Sequence, residues 1–239
     1  LLAIGLGYLL VGFLDDLMKK LRGNNLGLRA YQKIVFQLLV AVLASVYCCL
    51  NGLTILRVPY THVSFDIGWG MLPLGVVVFV ATTNGVNLTD GLDGLAGSVC
   101  AFFFLFLGFL LVLEGENSDV ATLSFCLTGA LAAYLVFNNF RASIFMGDTG
   151  SLALGGFAAS AALFTGNTLF IPILGAMFVL SSISVIMQVI YYKKTGKRIF
   201  LMAPIHHHFQ EKGYAEGKIA YAYAIATAVL GCTLLLPFV

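Results

Sequence analysis

Charge is what this sequence has least of. Only 10% of its 239 residues are Asp, Glu, Lys or Arg, against about 25% in a soluble domain, while 60% are hydrophobic and the mean hydropathy is +0.97. That excludes an ordinary soluble domain and implies an integral membrane protein. Tryptophan is nearly missing, with one residue against 20 phenylalanines, a bias that suits lipid-facing helices better than a packed soluble core. No basic tract is interleaved with aromatics, so no nucleic-acid partner is expected. The five cysteines form no C-x-x-C pair and all lie in or at the ends of apolar runs, which makes them buried, inert thiols rather than disulfides or metal ligands. No internal repeat marks a transporter built from inverted halves. Neither an initiating Met nor a basic n-region precedes Leu1, so the chain reads as a fragment of a longer protein and not as one that opens on a signal peptide.

What is present is a series of eight apolar runs, at 1–14, 31–50, 71–83, 92–113, 120–137, 151–164, 169–192 and 219–238. They predict an all-α integral membrane protein, a polytopic helical bundle that forms one membrane domain over 1–239 with eight transmembrane helices. Three runs are short, as expected of tilted or discontinuous segments that line a cavity. Placing Lys19, Lys20, Arg22, Arg29, Lys33, Arg141, Lys193, Lys194, Lys197, Arg198, Lys212 and Lys218 on one side leaves only Arg57 on the other, so the basic side is cytoplasmic. Cytoplasmic loops then fall at about 15–30, 83–92, 138–150 and 193–218, and outer loops at 51–70, 114–119 and 165–168. In the first outer loop, residues 53–58 and 61–67 alternate around Pro59-Tyr60 and predict a small hairpin. The Gly- and Ala-rich segment 151–162 is expected at the centre of the bundle, and Phe102, Phe103, Phe104 and Phe106 on a lipid-facing helix.

Against this apolar background the stretch Asn84-Gly-Val-Asn-Leu-Thr-Asp-Gly-Leu-Asp-Gly-Leu-Ala96 stands out. Asn84, Asn87, Asp90 and Asp93 recur every third residue and would share one drifting face of a helical turn, while Gly85, Gly91 and Gly94 leave the backbone open to a ligand. A helix cap would need one such carboxylate, not two carboxylates with two amides. Ionisable groups at membrane depth mark a functional site.

Three further polar groups fall on the same predicted side. Asp15-Asp16 close the first helix, where the dipole disfavours carboxylates; either Lys19 and Lys20 offset them, or one holds a cation while the other faces a substrate. Phe145-Met-Gly-Asp-Thr-Gly-Ser151 opens a helix, so Asp148 is either its N-cap or a ligand of a diphosphate–Mg²⁺ group. His206-His207-His208 follow Pro204 in a basic loop, open to three readings: solvated residues, a transition-metal site, or, favoured here, donors to phosphate oxygens. Asn138 and Arg141 precede the Asp148 turn, Lys33 lies one turn inside its helix, and Gln188 is a lone polar residue serving either a helix–helix hydrogen bond or a site wall. Four unrelated polar turns would have no reason to share a face; one cytoplasmic site would.

Together Phe13-Leu-Asp-Asp16, Asn87-Leu-Thr-Asp-Gly-Leu-Asp-Gly-Leu-Ala96, Phe145-Met-Gly-Asp-Thr-Gly-Ser151 and Pro204-Ile-His-His-His208 resemble the motifs of the polyprenyl-phosphate N-acetylhexosamine-1-phosphate transferases, in order and spacing over essentially the whole sequence. The His triplet favours the muramoyl-pentapeptide branch over the N-acetylglucosamine-1-phosphate branch. The resemblance implies ten membrane helices in the whole protein, a homodimer in the bacterial inner membrane with its active site facing the cytoplasm, and Mg²⁺ as cofactor. Its implied substrates are UDP-N-acetylmuramoyl-pentapeptide and undecaprenyl phosphate, its products lipid I and UMP, and its inhibitors uridine nucleoside antibiotics. It also implies that Asp148 and Asp16 bind the metal, with Asp15, Asp16, Asp148 and His206 catalytic. Lys33, Asn87, Asp90, Asp93, Asn138, Phe145, Gln188, His207 and His208 would contact substrate. The alternatives are an N-acetylglucosamine-1-phosphate transferase and, more remotely, a divalent-cation transporter, which should place its carboxylates at the bilayer midplane rather than at helix ends.

Overall fold

The structure, a computed structural model, describes residues 1–23, 27–115, 117–139 and 141–238. Parts of three predicted loops, at 24–26, 116 and 140, lie outside the described residues.

All eight apolar runs are helical. They correspond to α1 (Leu2–Arg22), α2 (Ala30–Leu50), α3 (Met71–Thr89), α4 (Leu95–Glu114), α5 (Ser118–Asn138), α6 (Gly147–Phe164), the pair α7 (Ile171–Leu174) and α8 (Ala176–Thr195), and α10 (Glu216–Leu235). A short α9 (Ile205–Glu211) carries the three histidines. Six of the described helices are long and apolar enough to cross a membrane, which makes this an all-α, multi-pass membrane protein. α1 and α6 fall short because each gives one end to polar residues.

Two expectations need correction. The run 169–192 is not one helix: a 3₁₀ turn (Thr168–Phe170) and α7 precede a break at Gly175. Pro172 cannot donate a backbone hydrogen bond, and Gly175, at φ −95° and ψ 27°, stands outside the helix as the N-cap of α8. Nor does the phenylalanine cluster face lipid as a whole. Phe103 and Phe104 are fully buried, while Phe102 and Phe106 are only partly so.

Two compact units make up the chain, one comprising Leu1–Asn87 with Met146–Ile171, the other Leu88–Phe145 with Pro172–Val239. In the first, α1 packs along α6 around Tyr8, Val11, Ala41, Phe79, Leu152 and Leu163. Tyr8 stacks on Phe79 with ring centroids 5.8 Å apart, and its hydroxyl donates to the Gln37 carbonyl at 3.1 Å. Lipid offers no hydrophobic drive between helices, so the packing rests on close approach of backbones at small residues. A Cβ at Gly12 would collide with the Asp148 carbonyl, and one at Gly155 would lie 2.5 Å from the Thr83 Cα. As expected, α6 is buried along nearly its whole length. The predicted hairpin is present as β1 (Ile55–Arg57) antiparallel to β2 (Ser64–Asp66), with Leu56 opposite Phe65 and Tyr60 turning the chain at φ 63°.

In the second unit α4 is the central helix, with α5 and α10 against it. Gly97 lies beneath Tyr134 and Leu135 of α5, Gly108 beneath Phe125, and Gly231 of α10 beneath Phe106. Phe103 packs inward against Phe178 of α8, with ring centroids 5.9 Å apart.

Close approach at Gly12 makes a prediction. Gly12→Ala forces α1 from α6 and destabilises by about 1–3 kcal/mol, the range for overpacking, whereas Gly129→Ala in α5, where a Cβ meets nothing within 4 Å, leaves thermal unfolding in detergent nearly unchanged.

Candidate active site

The first unit gathers three carboxylates. α1 extends well past its apolar run and so carries Asp15, Asp16 and Lys19 on its last two turns, while the start of α6 brings Asp148 against them. Each carboxylate offers an oxygen within 4.8 Å of the others. Lys19 joins all three: its Nζ is 2.6 Å from Asp15 Oδ2, 3.3 Å from Asp16 Oδ1 and 2.9 Å from Asp148 Oδ2. Lys33, from the first turns of α2, reaches the same Asp148 Oδ2 at 2.8 Å. The other Asp148 oxygen accepts from Asn87 Nδ2 at 2.6 Å, and that amide also donates to Ser151 Oγ at 2.9 Å. One helical turn behind, Asn84 and Gln37 pair through their amides, with Asn84 Nδ2 to Gln37 Oε1 at 2.7 Å.

The two adjacent aspartates serve different partners. Asp15 is buried and accepts the Leu28 N–H at 2.7 Å. Asp16 caps α6: its Oδ2 accepts from the Thr149 N–H at 2.8 Å and the Thr149 hydroxyl at 2.6 Å, and its Oδ1 accepts from the Asp148 N–H at 3.3 Å. The cap of that helix is therefore Asp16, from another helix, and not Asp148. A cap supplied from outside satisfies the free N–H groups and leaves the Asp148 side chain for the lysines. Gly147 makes room for it. At φ +64° it takes a left-handed turn, and a Cβ there would stand 2.8 Å from Asp16 Oδ2.

Burial, and then the neighbouring Asp148, raise the Asp15 pKa above the ordinary carboxylate range. Burial opposes ionisation of Asp148 too, but hydrogen bonds with Asp15, Lys33 and Lys19 outweigh it and hold this carboxyl well below that range. Lys19 follows the same logic, since burial disfavours its charge and the two carboxylates more than restore it, raising its pKa. Asp148 is thus the committed anion of the pair and Asp15 the better proton holder. The three carboxylates offer oxygens that could together hold a metal ion, and an ammonium already touches all three.

The second unit holds the remaining predicted residues around the turn after α3. Asp90 and Asp93 lie on this turn rather than on a helix, so they do not continue the face of Asn84 and Asn87; Gly94, at φ +73°, ends the turn and α4 begins at Leu95. Asp93 Oδ2 accepts from the Ala142 N–H at 2.9 Å. Asn138 is buried, receives the Gly94 N–H on Oδ1 at 3.1 Å and donates to the Ile144 carbonyl at 2.8 Å. His206 is fully buried with neither ring nitrogen hydrogen-bonded, and burial followed by the charge of His207 lowers its pKa to about 4. His207 Nδ1 is 2.8 Å from Gln210 Oε1.

Two predicted contacts take a different part. Gln188 spends its amide on the loop after α8: Oε1 accepts the Ile199 and Phe200 N–H groups at 3.0 Å, and Nε2 donates to the Phe200 carbonyl at 3.1 Å. His208 Nδ1 accepts the Leu201 N–H at 3.1 Å. Both hold this loop. Phe145 is 76% exposed. Sequence reasoning treated Lys19 only as a charge offset, and its i+3 and i+4 spacing from the two aspartates was the signal for more. Thr149 and Ser151 lie inside the Phe145–Ser151 motif without standing out in it, and Gln210 carries no signal.

Fold and site thus define a multi-pass helical membrane protein with a lysine-compensated carboxylate centre. The chain belongs to glycosyl transferase family 4, whose family model matches residues 1–166. It is similar to phospho-N-acetylmuramoyl-pentapeptide-transferases: 46% identical to that of Clostridium botulinum (strain Eklund 17B / Type B) over 224 residues, covering 92% of this chain and 68% of the relative. Against those of Bacillus subtilis (strain 168) and Heliobacterium modesticaldum it is 44% identical over 237 and 239 residues, each covering 97% of this chain and 72% and 74% of the relative.

Removing Lys33 tests the electrostatics. Lys33→Met leaves Asp148 with one cation fewer and lowers stability by about 1–3 kcal/mol at neutral pH, the worth of a charged hydrogen bond. Because the folded Asp148 titrates below its unfolded value, this contribution is complete above pH about 4 and is lost as pH falls below it. Melting curves of the two proteins should therefore differ at pH 7 and converge in acid.

Proposed function

We propose that the chain transfers phospho-N-acetylmuramoyl-pentapeptide from its UDP-linked form to undecaprenyl phosphate, giving lipid I and UMP in peptidoglycan biosynthesis. The observation that carries this reading is the three-carboxylate, two-lysine centre at the start of α6, in a chain related over most of its length to proteins of that name. A polyprenyl tail stays in lipid while a nucleotide arrives from water, so their phosphates must meet at the membrane boundary. Polar ends on otherwise apolar helices meet that requirement. On this reading the centre faces the cytoplasm of the bacterial inner membrane, the protein works as a homodimer, and uridine nucleoside antibiotics inhibit it.

A phosphate oxygen of the lipid forms a bond to the sugar-linked phosphorus as the anhydride bond to UMP breaks. One phosphoanhydride replaces another, so the barrier is chiefly repulsion between anions. Asp148 and Asp16 would hold Mg²⁺, which when bound neutralises the phosphate charge. Lys19 and Lys33 supply positive charge beside it, and Asn87 orients Asp148. Asp90, Asp93, Asn138 and Phe145 are assigned to the nucleotide, and His206 and His207 to phosphate or sugar. For Gln188 and His208 the hydrogen bonds favour holding the loop that bears on substrate. A phosphate monoester has its second pKa near 6, so the nucleophile is already mostly dianionic at neutral pH and Asp15 acts chiefly by positioning.

The test is UMP release by the full-length protein. It should require Mg²⁺, prefer UDP-N-acetylmuramoyl-pentapeptide over UDP-N-acetylglucosamine, and fall by at least about 10²-fold in Asp148→Asn, the loss typical of one electrostatic contact to a transition state. Preference for UDP-N-acetylglucosamine would assign the sister activity, and absence of any UMP release would leave a cation transporter as the better reading. Asp15→Asn should lower the rate at every pH; recovery of the full rate at high pH would make Asp15 a general base instead.

A further inference from the structure

In the second unit Glu216 and Gln210 form a chain of side chains that leads from the start of α10 to His207. Glu216, the first residue of α10, accepts the Asp93 N–H on Oε2 at 3.4 Å. Its Oε1 accepts from Gln210 Nε2 at 2.8 Å. Gln210 Oε1 then faces His207 Nδ1 at 2.8 Å. The far ring nitrogen of His207, Nε2, lies beside Gly91, where a Cβ would meet His206 Nε2 first and stand 2.9 Å from His207 Nε2. Gly91 and Asp93 belong to the same turn, so the chain closes on itself.

The order of donors along it is forced. A carboxylate accepts hydrogen bonds and cannot donate them, so Glu216 must face the NH₂ end of the Gln210 amide. That fixes the amide, and its carbonyl end must face His207. A carbonyl oxygen accepts only, so Nδ1 of His207 must carry the proton. In neutral imidazole the other nitrogen is then bare. Nothing else among the described contacts of His207 sets this: it meets the His206 ring at 4.4 Å, and neither nitrogen of that ring is hydrogen-bonded.

We infer that Gln210 and Glu216 are positioning residues that lock His207 in the Nδ1–H form, so that its Nε2 presents a lone pair across Gly91 to a hydroxyl or amide donor of the bound substrate. The inference rests on the transfer reading above for the identity of that substrate, but not for the tautomer. Glycine at 91 belongs to the same arrangement, since a side chain there would crowd the Nε2 atoms of both His206 and His207. His207 thus differs in kind from its neighbours, one of which is buried without a partner while the other ties down Leu201.

The experiment is ¹⁵N NMR of the full-length protein in detergent, labelled at histidine, with the His207 signals identified by their loss in His207→Asn. The neutral ring should carry its proton on Nδ1, whereas an unconstrained imidazole prefers Nε2. Gln210→Met, similar in size but without an acceptor, should return His207 to the Nε2–H form and lower kcat/KM for UMP release at least about tenfold, as loss of a histidine's orienting partner does elsewhere. Gln210→Glu alone would set a second carboxylate against Glu216, so the double variant Gln210→Glu/Glu216→Gln, which restores a donor between them and keeps an acceptor for His207, should retain the Nδ1 proton. A proton on Nε2 in the unaltered protein overturns the inference whatever the activity. An Nδ1 proton lost in Gln210→Met without any fall in kcat/KM sustains the lock and refutes its service to the reaction. A fully inactive unaltered protein with the Nδ1 proton in place counts against the transfer reading alone.

Discussion

Three carboxylates with oxygens within 4.8 Å of one another cannot all ionise at the edge of a membrane unless cations stand among them. Lys19 and Lys33 are those cations, and much of the first unit follows from bringing them there. α1 must run beyond its apolar stretch to carry the aspartates and Lys19 on one surface. α6 must approach closely enough for Asp148 to share Lys19, which is why Gly12 has no side chain. α2 must begin with Lys33 inside its first turns. The arrangement leaves one formal negative charge, three carboxylates against two ammonium groups, and this surplus is what suits the centre to a further cation.

The same constraint separates roles among like residues. Asp16 gives up its oxygens to the open N-terminus of α6, Asp15 is buried against the loop before α2, and only Asp148 is held wholly by side chains. One residue type, placed in three environments, thereby supplies a cap, a proton holder and a committed anion. The histidines divide in a similar way, with His206 sealed from water, His207 tied to Gln210 and His208 committed to the loop after α8. Consecutive residues on a short helix point in different directions, so a run of three need not be one ligand set.

Much of this was legible in the residues. Long apolar runs gave the helices, because a backbone in lipid has no other way to satisfy its hydrogen bonds, and the alternation about Pro59-Tyr60 gave the hairpin. The polar stretches at Asp15, Asn87, Asp93, Asp148 and His206 stood out because ionisable groups are so scarce around them. What could not be read was partnership. Asp148 sits where a cap belongs, and nothing local says that Asp16 of another helix has taken that place. Gln188 reads equally as a pocket wall or a clamp until the Ile199 and Phe200 amides are located. The inward turn of Phe103 goes with its contact to Phe178 of α8, a matter of which helices neighbour one another and not of hydrophobicity.

The central claim is that the carboxylate centre is a divalent-cation site balanced by lysine. Its most direct test is a Mn²⁺ titration of the full-length protein followed by electron paramagnetic resonance, with Mg²⁺ as competitor. The account predicts binding that Mg²⁺ displaces, weakened at least about tenfold by Asp148→Asn, in line with loss of a metal-site contact, and undiminished or strengthened by Lys19→Met, which removes the competing ammonium. Equal Mn²⁺ affinity in the unaltered protein and Asp148→Asn, or loss of binding in Lys19→Met, would contradict it.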